Sequence, residues 1–397
     1  MPDTLAPSAT DVVELTRALV RCESVTPVEA GALQLLERTL KSIGFACERM
    51  DFSQAGTDDV ANLYARIGQG PNEGGKHFCF AGHSDVVPVG DLSSWTIGPF
   101  AAELSAGYLF GRGAADMKGA IAAFTEAVAR FLSRRRDFGG SISLLITGDE
   151  EGPAVNGTVK MLKKLAERGE TIDACVVGEP TSSRRFGDMM KIGRRGSMTV
   201  DIVVRGIQGH VGYPERLDNP IHRLGAIIQA LREPIDQGST HFQPSSLQFT
   251  TVDVGNKATN IAPGTVKARF NTRFNDLWTS QKLLAHLKER IERASAAAGG
   301  NGTIEYEKVE VSGESFYTPP GPLVELVAGA VREVTGVEPE LSTTGGTSDA
   351  RFIARHCPVL EFGLVGETMH KVDEKSAVAD LKALARVYET VLDRYFA

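Results

Sequence analysis

Hydrophobic residues follow two spacings in the first 195 residues, one helical and one typical of buried strands. Apolar side chains recur every three or four positions over 12–19 and 33–40, which predicts two amphipathic helices. After them come four short apolar runs: NLYARI, HFCFAG, SISLLITG and DACVVG. Helices that alternate with buried strands indicate an α/β domain, with a central mixed β-sheet flanked by helices.

The pattern changes at residue 196, where polar and apolar residues begin to alternate along the strands. The segments after this point are SMTVDIVVRG, NPIHRLGAIIQALREPI, SSLQFTTVDVG, TVKARFNTRF, SQKLLAHLKERIERASAA and GTIEYEKVEVSG. Their periodicities predict the order β-α-β-β-α-β of a ferredoxin-like α+β domain. After the Gly- and Pro-rich segment GESFYTPPGP, the pattern of the first 195 residues resumes, with helices that alternate with buried strands. We therefore predict a first domain in two parts, 1–195 and 313–397, with an α+β domain inserted at 196–312.

Composition excludes several classes of protein. The chain of 397 residues has a net charge of −7, which argues against generic binding to polyanions such as nucleic acids. Its five cysteines are odd in number, widely spaced and lack a C-x-x-C pair, so we expect neither a disulfide framework nor a thiolate metal site. The first residues contain no basic segment followed by an apolar core, and no apolar stretch is long enough to span a bilayer. We expect a soluble, cytoplasmic protein that binds neither nucleic acid nor membrane.

Three of the apolar runs end in glycine and are followed at once by polar residues. FAG precedes His83, ITG precedes Asp149, and VVG precedes Glu179. In open α/β sheets, ligands bind outside the ends of the strands. Asp149 is also followed directly by Glu150 and Glu151. Two carboxylates about 4 Å apart repel by about 4 kcal/mol at an effective dielectric near 20, so these acids need a positive partner.

Three further positions could join this edge of the sheet, although each also has an ordinary explanation. Asp85 lies two residues after His83 on an extended segment, so its carboxylate could accept a hydrogen bond from the imidazole. Asp116 precedes a helix predicted at 117–131 and could simply cap it. His370 lies in a loop before the last helix, where a histidine is usually solvated.

Taken together, two histidines and four acids form a set that suits divalent metal ions. The set is His83, Asp116, Glu150, Glu151, Glu179 and His370. Imidazole and carboxylate suit Zn²⁺, which at a catalytic site keeps three protein ligands and a water. Two such sites a few ångströms apart could share one carboxylate. Metal cations would then be the positive partner that the consecutive acids need.

Seven motifs occur in an order that is found in one known family: GHSDVVPVG, GRGAADMKG, TGDEEGP, VGEPTS, GRRGS, GGTSDARF and MHKVDE. In these motifs the chain resembles the M20 metallopeptidases, which hold two zinc ions. The resemblance covers nearly the whole chain, including the inserted domain. It implies that 1–195 and 313–397 form a catalytic domain, and that 196–312 forms a dimerisation and lid domain.

The resemblance also implies a role for each candidate in the metal centre. His83 and Glu179 would bind one zinc ion, Glu151 and His370 the other, and Asp116 would bridge both. Asp85 would support His83, and Glu150 would act as the general base. A hydroxide between the two ions would attack the amide carbonyl of the substrate. Cobalt or manganese could replace zinc at such ligands.

Within the family, the chain is most similar to enzymes of lysine and diaminopimelate biosynthesis that hydrolyse N-succinyl-LL-2,6-diaminopimelate to succinate and LL-2,6-diaminopimelate. This substrate carries three carboxylates, which the planar fork of arginine binds well. The implied substrate-binding residues are Arg194, Ser197, His210, Tyr213, Asn260, Arg273, Gly346, Thr347 and Arg351. In the family, the histidine equivalent to His210 reaches into the active site of the partner subunit, where it can stabilise the oxyanion. A homodimer through the inserted domain is therefore implied.

Two other interpretations stay open at this point. An acetylornithine deacetylase-like or carboxypeptidase-like hydrolase of the same fold would share the metal ligands. A non-catalytic binding protein of the same fold would be expected to lack a ligand or the base, whereas all are present here. Three residues depart from the pattern of the succinyl-amide hydrolases: Thr344, Ala350 and Glu367. Of these, Glu367 adds an acid near the predicted pocket.

Overall fold

The structure is a computed structural model that describes residues 10–70 and 73–397. The expectation that no signal peptide is present rests partly on residues 1–9, which lie outside the described residues. The chain forms two compact units. The first contains the residues up to Ile192, 318–342 and 348–397, and the second contains 193–317 and 343–347.

The bounds of the helices and strands are as follows for the described residues. The helices are α1 (Val12–Val20), α2 (Ala32–Ser42), α3 (Lys118–Arg134), α4 (Thr158–Glu167), α5 (Pro220–Leu231), α6 (Ser280–Ala297), α7 (Pro322–Thr335), α8 (Ala350–Ile353) and α9 (Val378–Tyr395). The strands are β1 (Ala46–Arg49), β2 (Leu63–Gly68), β3 (Lys76–His83), β4 (Glu103–Ser105), β5 (Tyr108–Phe110), β6 (Gly140–Thr147), β7 (Ala174–Val177), β8 (Met189–Lys191), β9 (Gly193–Arg194), β10 (Gly196–Arg205), β11 (Gly209–His210), β12 (Ser246–Asp253), β13 (Ile261–Ala262), β14 (Thr265–Phe274), β15 (Thr303–Gly313), β16 (Phe316–Tyr317), β17 (Glu340–Ser342), β18 (Val359–Glu361) and β19 (Lys375–Ala377). Among these helices, none has the length and apolar composition that crossing a bilayer requires.

An eight-stranded sheet is the centre of the first unit, with the strand order β1-β2-β6-β3-β7-β18-β8-β17. The four adjacent strands β6, β3, β7 and β18 run parallel to one another. The pairs β1–β2, β2–β6 and β8–β18 are antiparallel, so the sheet is mixed. The predicted fold class, a mixed sheet flanked by helices, is confirmed. Because the four parallel strands are neighbours, their carboxyl ends meet at one edge of the sheet, where ligands bind in such folds.

Aromatic side chains fix the last helix to this sheet. Phe80 of β3 stacks on Phe124 of α3 with ring centroids 4.4 Å apart, and Tyr388 of α9 meets Phe80 edge-on at 5.5 Å. Such aromatic pairs add to the stabilisation that burial alone provides. The buried hydroxyl of Tyr388 donates a hydrogen bond of 2.6 Å to the carbonyl of Phe362. The C-terminal part of the chain therefore belongs to the core of the first unit.

The second unit contains a four-stranded antiparallel sheet in the order β12-β14-β10-β15. Along the chain its elements follow the order β10-α5-β12-β14-α6-β15, which is the β-α-β-β-α-β order predicted for 196–312. Helices α5 and α6 pack together and bury Leu224 and Leu287 against Val200 and Phe270 of the sheet. Alternating strand residues and one apolar helix face therefore form a core of their own.

The segment GESFYTPPGP contains a short strand that the sequence did not predict. Residues Phe316–Tyr317 (β16) pair antiparallel with Gly193–Arg194 (β9). Directly beyond this pair, the backbone N–H of Thr318 donates a hydrogen bond of 2.7 Å to the carbonyl of Ile192. The chain therefore enters and leaves 193–317 at neighbouring positions. A strand of two residues is too short to show alternation, so periodicity does not reveal it.

Candidate metal centre

The polar residues that follow the parallel strands converge at the carboxyl edge of the sheet in the first unit. His83 is the last residue of β3, directly opposite Thr147, the last residue of β6. The acidic residues of TGDEEGP follow β6, and Glu179 follows β7 by two residues. Asp116 comes from the loop before α3, and His370 comes from the loop before β19. Five separate segments of the chain thus contribute to one site.

Glycines at the strand ends allow the Asp116 segment to approach closely. A Cβ atom added to Gly178 would lie 2.6 Å from Cζ of Phe80 and 2.8 Å from Cβ of Ala120. A Cβ atom on Gly82 would lie 2.4 Å from Cε of Met117, the residue after Asp116. Carbon atoms do not approach so closely without displacement. The glycines of FAG and VVG therefore make room for the start of α3.

Asp116 lies between the two imidazoles. Its Oδ1 atom is 3.1 Å from Nε2 of His83, and its Oδ2 atom is 3.2 Å from Nε2 of His370. Glu179 lies on the side of His83, with Oε1 3.8 Å from Nε2. Glu151 lies on the side of His370, with Oε1 2.8 Å from Nε2. The five groups form two pairs that share one carboxylate.

This donor set fits divalent cations. The potential ligand atoms of His83, Asp116 and Glu151 lie within 4.8 Å of one another, and so do those of His83, Glu150 and Glu179. Imidazole nitrogen and carboxylate oxygen are ligands that Zn²⁺ accepts, and both also suit cobalt and manganese. Carboxylates held this close together need a compensating positive charge. The residues present therefore fit a centre for two metal ions with a shared carboxylate.

The alternative that Asp116 caps α3 is wrong. The N-cap position of α3 is Met117, and no side-chain hydrogen bond caps this helix. The carboxylate of Asp116 is instead buried between the imidazoles of His83 and His370. Its hydrogen bonds with His370 and His83 hold the pKa of Asp116 below its usual range, although burial alone would raise it.

Asp85 supports His83 in a different way from the one that we expected. Nδ1 of His83 lies 2.9 Å from the backbone carbonyl oxygen of Asp85 but 3.6 Å from its carboxylate. A hydrogen bond from Nδ1–H to this carbonyl leaves Nε2 directed at the site. The carboxylate of Asp85 accepts hydrogen bonds from the backbone N–H groups of Glu150, at 3.3 Å, and Glu151, at 3.1 Å. Because these two donors engage the carboxylate, it positions both glutamates rather than the imidazole.

The three consecutive acids have three different environments. Asp149 turns away from the imidazoles and accepts hydrogen bonds of 2.8 Å from the backbone N–H groups of Val155 and Asn156. Glu151 faces His370. Glu150 lies near His83 and Glu179. Asp149 therefore stabilises the loop after β6 through hydrogen bonds to its backbone. The side chains of Glu150 and Glu151 extend into the site.

Electrostatic effects in the site favour positive charge at the imidazoles and a proton at Glu150. Burial, followed by the charge of Glu179, raises the pKa of Glu150 well above its ordinary value. The hydrogen bond with Asp116, followed by that with Glu151, raises the pKa of His370 to about 10. Burial alone would lower the pKa of His83, but the hydrogen bond with Asp116 raises it well above its usual range. A group of carboxylates that stabilises nearby cations so strongly is suited to holding metal ions.

Two buried residues that the sequence analysis did not select contact the loops that carry the ligands. Glu374 accepts hydrogen bonds from the backbone of the Asp116 loop, and Arg112 donates to the loop that contains His370. Arg112 lies in GRGAADMKG and Glu374 ends MHKVDE, so both occur within motifs that supplied ligands. Their positions close in sequence to Asp116 and His370, two candidate ligands, could have indicated that they support the site.

The predicted substrate-binding residues fall mostly in the second unit. Arg351 belongs to the first unit. The predicted residues that belong to the second unit are Arg194, Ser197, His210, Tyr213, Asn260, Arg273, Gly346 and Thr347. Ser197 and Arg273 are direct partners across β10 and β14. The rings of His210 and Tyr213 lie 5.6 Å apart, and the carbonyl of Asn260 accepts a hydrogen bond from the N–H after His210.

The GGTSDAR segment contributes to both units. In the second unit, Arg194 donates a hydrogen bond of 3.1 Å from Nη1 to the carbonyl of Thr344. A Cβ atom on Gly345, whose φ is +105°, would lie 2.3 Å from the same nitrogen, so only glycine fits there. In the first unit, Nη2 of Arg351 lies 3.7 Å from Oδ1 of Asp349, and Ala350 is buried in α8.

A mixed α/β unit with this donor set, interrupted by a ferredoxin-like unit, defines a class of metal-dependent hydrolases that includes many peptidases. The chain belongs to peptidase family M20/M25/M40, whose family model matches residues 79–394. The chain is 55% identical over 391 residues to succinyl-diaminopimelate desuccinylase of Rhodospirillum centenum, which covers 98% of each protein. It is 54% identical to the protein of the same name from Parvibaculum lavamentivorans, with 98% of this chain and 96% of the relative covered.

Solved structures with low sequence identity share the fold. Aminopeptidase PepT from Bacillus cereus superimposes with a TM-score of 0.78 at 24% identity, covering 98% of both chains. The YXEP protein of Bacillus subtilis, described as a dinuclear metal binding peptidase from the M20 family, superimposes with a TM-score of 0.71 at 17% identity, again over 98% of both chains. The fold of this chain is thus the fold of a dinuclear metal-binding peptidase.

Proposed function

We propose that this protein hydrolyses the amide bond of N-succinyl-LL-2,6-diaminopimelate to release succinate and LL-2,6-diaminopimelate. The observation that carries the proposal is the identity of 52–55%, over nearly the full chain, to five relatives that all bear the name succinyl-diaminopimelate desuccinylase. The donor set at the carboxyl edge of the sheet supports it, because amide hydrolysis by this class of enzyme requires bound metal ions.

We assign two zinc ions to each subunit. His83 and Glu179 would hold one ion, His370 and Glu151 would hold the other, and Asp116 would bridge them. The distances from the Asp116 carboxylate to both imidazoles support this division. Bound zinc ions polarise a carbonyl group and lower the pKa of a coordinated water to near neutrality. Cobalt or manganese would be accepted by the same ligands.

Glu150 is the general base in this proposal. Its carboxyl group lies beside the ligand cluster, and the hydrogen bond from its N–H to Asp85 fixes the backbone that carries it. Glu150 takes a proton from the attacking water and returns that proton to the amine that leaves. Burial and the charge of Glu179 raise the pKa of Glu150 above its ordinary value, which makes its carboxylate a stronger proton acceptor. Asp85 acts in catalysis by positioning Glu150 and Glu151 through their N–H groups.

We assign substrate recognition to the cationic and polar residues that the family resemblance implies. Arg194, Arg273 and Arg351 would bind carboxylates of the substrate through paired N–H donors. Ser197, Asn260, Gly346 and Thr347 would supply further hydrogen bonds. We also propose a homodimer formed through 196–312, in which His210 serves the site of the partner subunit, and we assign Tyr213 to substrate binding. A cytoplasmic location belongs to the same proposal and is supported by five cysteines that are all free thiols.

A comparison of substrates tests the proposed reaction. The zinc-loaded protein is assayed with N-succinyl-LL-2,6-diaminopimelate, with Nα-acetyl-L-ornithine and with a dipeptide. We expect the highest kcat/KM for the succinylated compound, because its additional carboxylate can engage an arginine fork. A higher kcat/KM for the acetylated compound or the dipeptide would contradict the substrate assignment while leaving the metal centre intact.

The substitution Glu150→Gln tests the catalytic assignment. Glutamine keeps the size of the side chain but cannot accept the proton, so we expect kcat to fall by about 10²–10⁴-fold while two metal ions remain bound. Glu325→Gln, at an exposed position of α7, is the matched control and should leave kcat unchanged. Metal analysis of each variant accompanies the kinetics. Loss of a metal ion from Glu150→Gln would reassign Glu150 as a ligand.

A further inference from the structure

Glu374 is a buried carboxylate that the proposed mechanism does not use. Its side chain is inaccessible to solvent. Oε1 accepts hydrogen bonds from three backbone N–H groups, those of Gly113 at 3.1 Å, Ala115 at 2.9 Å and Asp116 at 3.1 Å. One carboxylate oxygen thus holds the loop that ends in the shared metal ligand.

The second oxygen of Glu374 binds a buried arginine. Oε2 accepts a hydrogen bond of 2.7 Å from Nη1 of Arg112, and both side chains are almost fully buried. Arg112 also donates from Nη1 to the carbonyl of Lys371, at 3.2 Å, and its guanidinium lies over the ring of Trp95 at 5.3 Å. Lys371 directly follows His370. The Glu374–Arg112 pair therefore joins the Asp116 loop to the His370 loop.

The loop that carries His370 has a backbone that needs such support. His370 and Asp373 have φ angles of 61° and 56°, a left-handed conformation that residues other than glycine rarely adopt. The carboxylate of Asp373 accepts hydrogen bonds of 2.8 and 2.7 Å from the N–H and the hydroxyl of Thr96. Together with Glu374, these contacts fix the loop at two neighbouring positions.

The other metal ligands have a different support. His83 ends β3, and Glu179 follows β7, so both are held by the ladder of adjacent parallel strands. Neither depends on Arg112 or Glu374. The two halves of the proposed centre thus differ in what fixes their geometry: one rests on the sheet, and the other rests on a buried ion pair between loops.

We propose that Glu374 and Arg112 are positioning residues that set the separation of Asp116 and His370, and hence the affinity of the metal site formed by Asp116, Glu151 and His370. The inference rests on the proposed function in that it takes these side chains as metal ligands. Groups that orient metal ligands typically change metal affinity or activity by about 10–100-fold when they are replaced. Loss of the pair therefore weakens the site of Asp116, Glu151 and His370 more than the site of His83 and Glu179, which shares only Asp116 with it.

The decisive variant is Glu374→Gln. Glutamine has the same shape, but its amide nitrogen faces either Arg112 or the three N–H groups, so a donor meets donors in both orientations. Arg112→Lys is the second variant, because lysine keeps the charge but cannot bind Glu374 and Lys371 while stacking on Trp95. Glu126→Gln is the matched control: Glu126 is also buried, accepts the N–H of Val12 at 2.7 Å and pairs with Arg130, but it contacts no ligand loop.

The experiment titrates Zn²⁺ into the metal-free full-length protein in competition with a chromophoric chelator, without substrate. His370→Ala and Glu179→Ala identify which binding event belongs to which site. In Glu374→Gln and Arg112→Lys we expect the event that His370→Ala abolishes to weaken by about 10–100-fold, with a clearly smaller change in the other event, which shares only Asp116. Thermal unfolding of the metal-free variants is measured in parallel, and Glu126→Gln should lower Tm without changing either event.

Unchanged affinities at both sites in Glu374→Gln and Arg112→Lys would overturn the inference. So would equal weakening of both sites, because that pattern indicates a general loss of structure. If Glu374→Gln fails to fold, Arg112→Lys decides by the same criteria. Because the titration involves no substrate, a protein that binds two ions but does not cleave the succinyl amide would contradict the proposed function and leave the positioning role standing.

Discussion

Asp149, Glu150 and Glu151 are consecutive carboxylates with separate environments, because the turn after β6 points their side chains in different directions. Asp149 accepts hydrogen bonds from backbone N–H groups of its own loop, whereas Glu150 and Glu151 face the proposed metal centre. The carboxylate of Asp85 holds the backbone of both glutamates. At this scale, the chemistry of the site depends on backbone hydrogen bonds as much as on the ligands.

Replacing Asp149 should reduce stability without removing metal. Asp149→Ala leaves the N–H groups of Val155 and Asn156 without their acceptor, so we expect a loss of about 1–3 kcal/mol in the free energy of unfolding. Urea unfolding of the metal-free protein measures the loss, and metal analysis should still find two ions. Asp91→Ala is the control, because it removes an exposed carboxylate that accepts a hydrogen bond from the N–H of Ser93. It should lower the free energy of unfolding by a smaller amount. Loss of an ion from Asp149→Ala would make Asp149 part of the metal centre.

His77 should make stability depend on pH. It is buried in β3, with Nε2 2.7 Å from the hydroxyl of Ser143 and Nδ1 2.6 Å from the carbonyl of Thr171. Burial lowers the pKa of His77 below its ordinary value of 6.5, so the folded protein holds the neutral ring and the unfolded chain binds a proton more readily. Its contribution to stability is therefore complete above pH 6.5 and decreases as pH falls below that value.

The measurement compares urea unfolding of the wild type and His77→Gln from neutral pH down to about pH 5. We expect the free energy of unfolding of the wild type to decline more steeply than that of the variant, because glutamine takes up no proton. His222→Gln, at an exposed position of α5, should keep the steep decline. Equal slopes for wild type and His77→Gln would show that another group is responsible.

At the scale of elements, the hydroxyl and the ring of Tyr388 tie α9 to the central sheet through Phe362 and Phe80. Tyr388→Phe keeps the ring but leaves the buried carbonyl of Phe362 without its donor, so we expect a loss of about 1–3 kcal/mol in the free energy of unfolding. Tyr395→Phe on the same helix, where the ring is partly exposed, is the matched substitution and should have a smaller effect. Thermal or urea unfolding distinguishes the two, and similar losses would argue against the role of the Tyr388 hydroxyl.

Periodicity predicted most elements because each long strand and helix buries one face. The helix predicted at 117–131 is observed as Lys118–Arg134, and the alternating segment SMTVDIVVRG is observed as Gly196–Arg205. The convergence of His83 and Glu179 also followed from strand ends in a parallel sheet. The hydrogen bonds of Asp85 and the ion pair between Arg112 and Glu374 could not be predicted in this way. They join groups far apart in sequence, which no local pattern reports.

At the scale of the whole molecule, the proposed metal ligands all belong to the first unit. Ligand binding stabilises only the state that contains the site, so removal of metal should loosen the first unit selectively. Hydrogen exchange measured by mass spectrometry, with and without a chelator, should show faster exchange at 83–85, 112–118 and 366–374. Peptides from 196–312 act as the internal control and should exchange at unchanged rates. Equal acceleration in both units would mean that they unfold as one cooperative body.

The antiparallel pair formed by β9 and β16 has an evolutionary consequence. Because the chain departs and returns at hydrogen-bonded neighbours, with Ile192 and Thr318 directly beyond them, a stretch of any length can be spliced in there without moving the strands of the larger sheet. A single insertion at this point could therefore add the second unit to the chain without rearranging the sheet of the first.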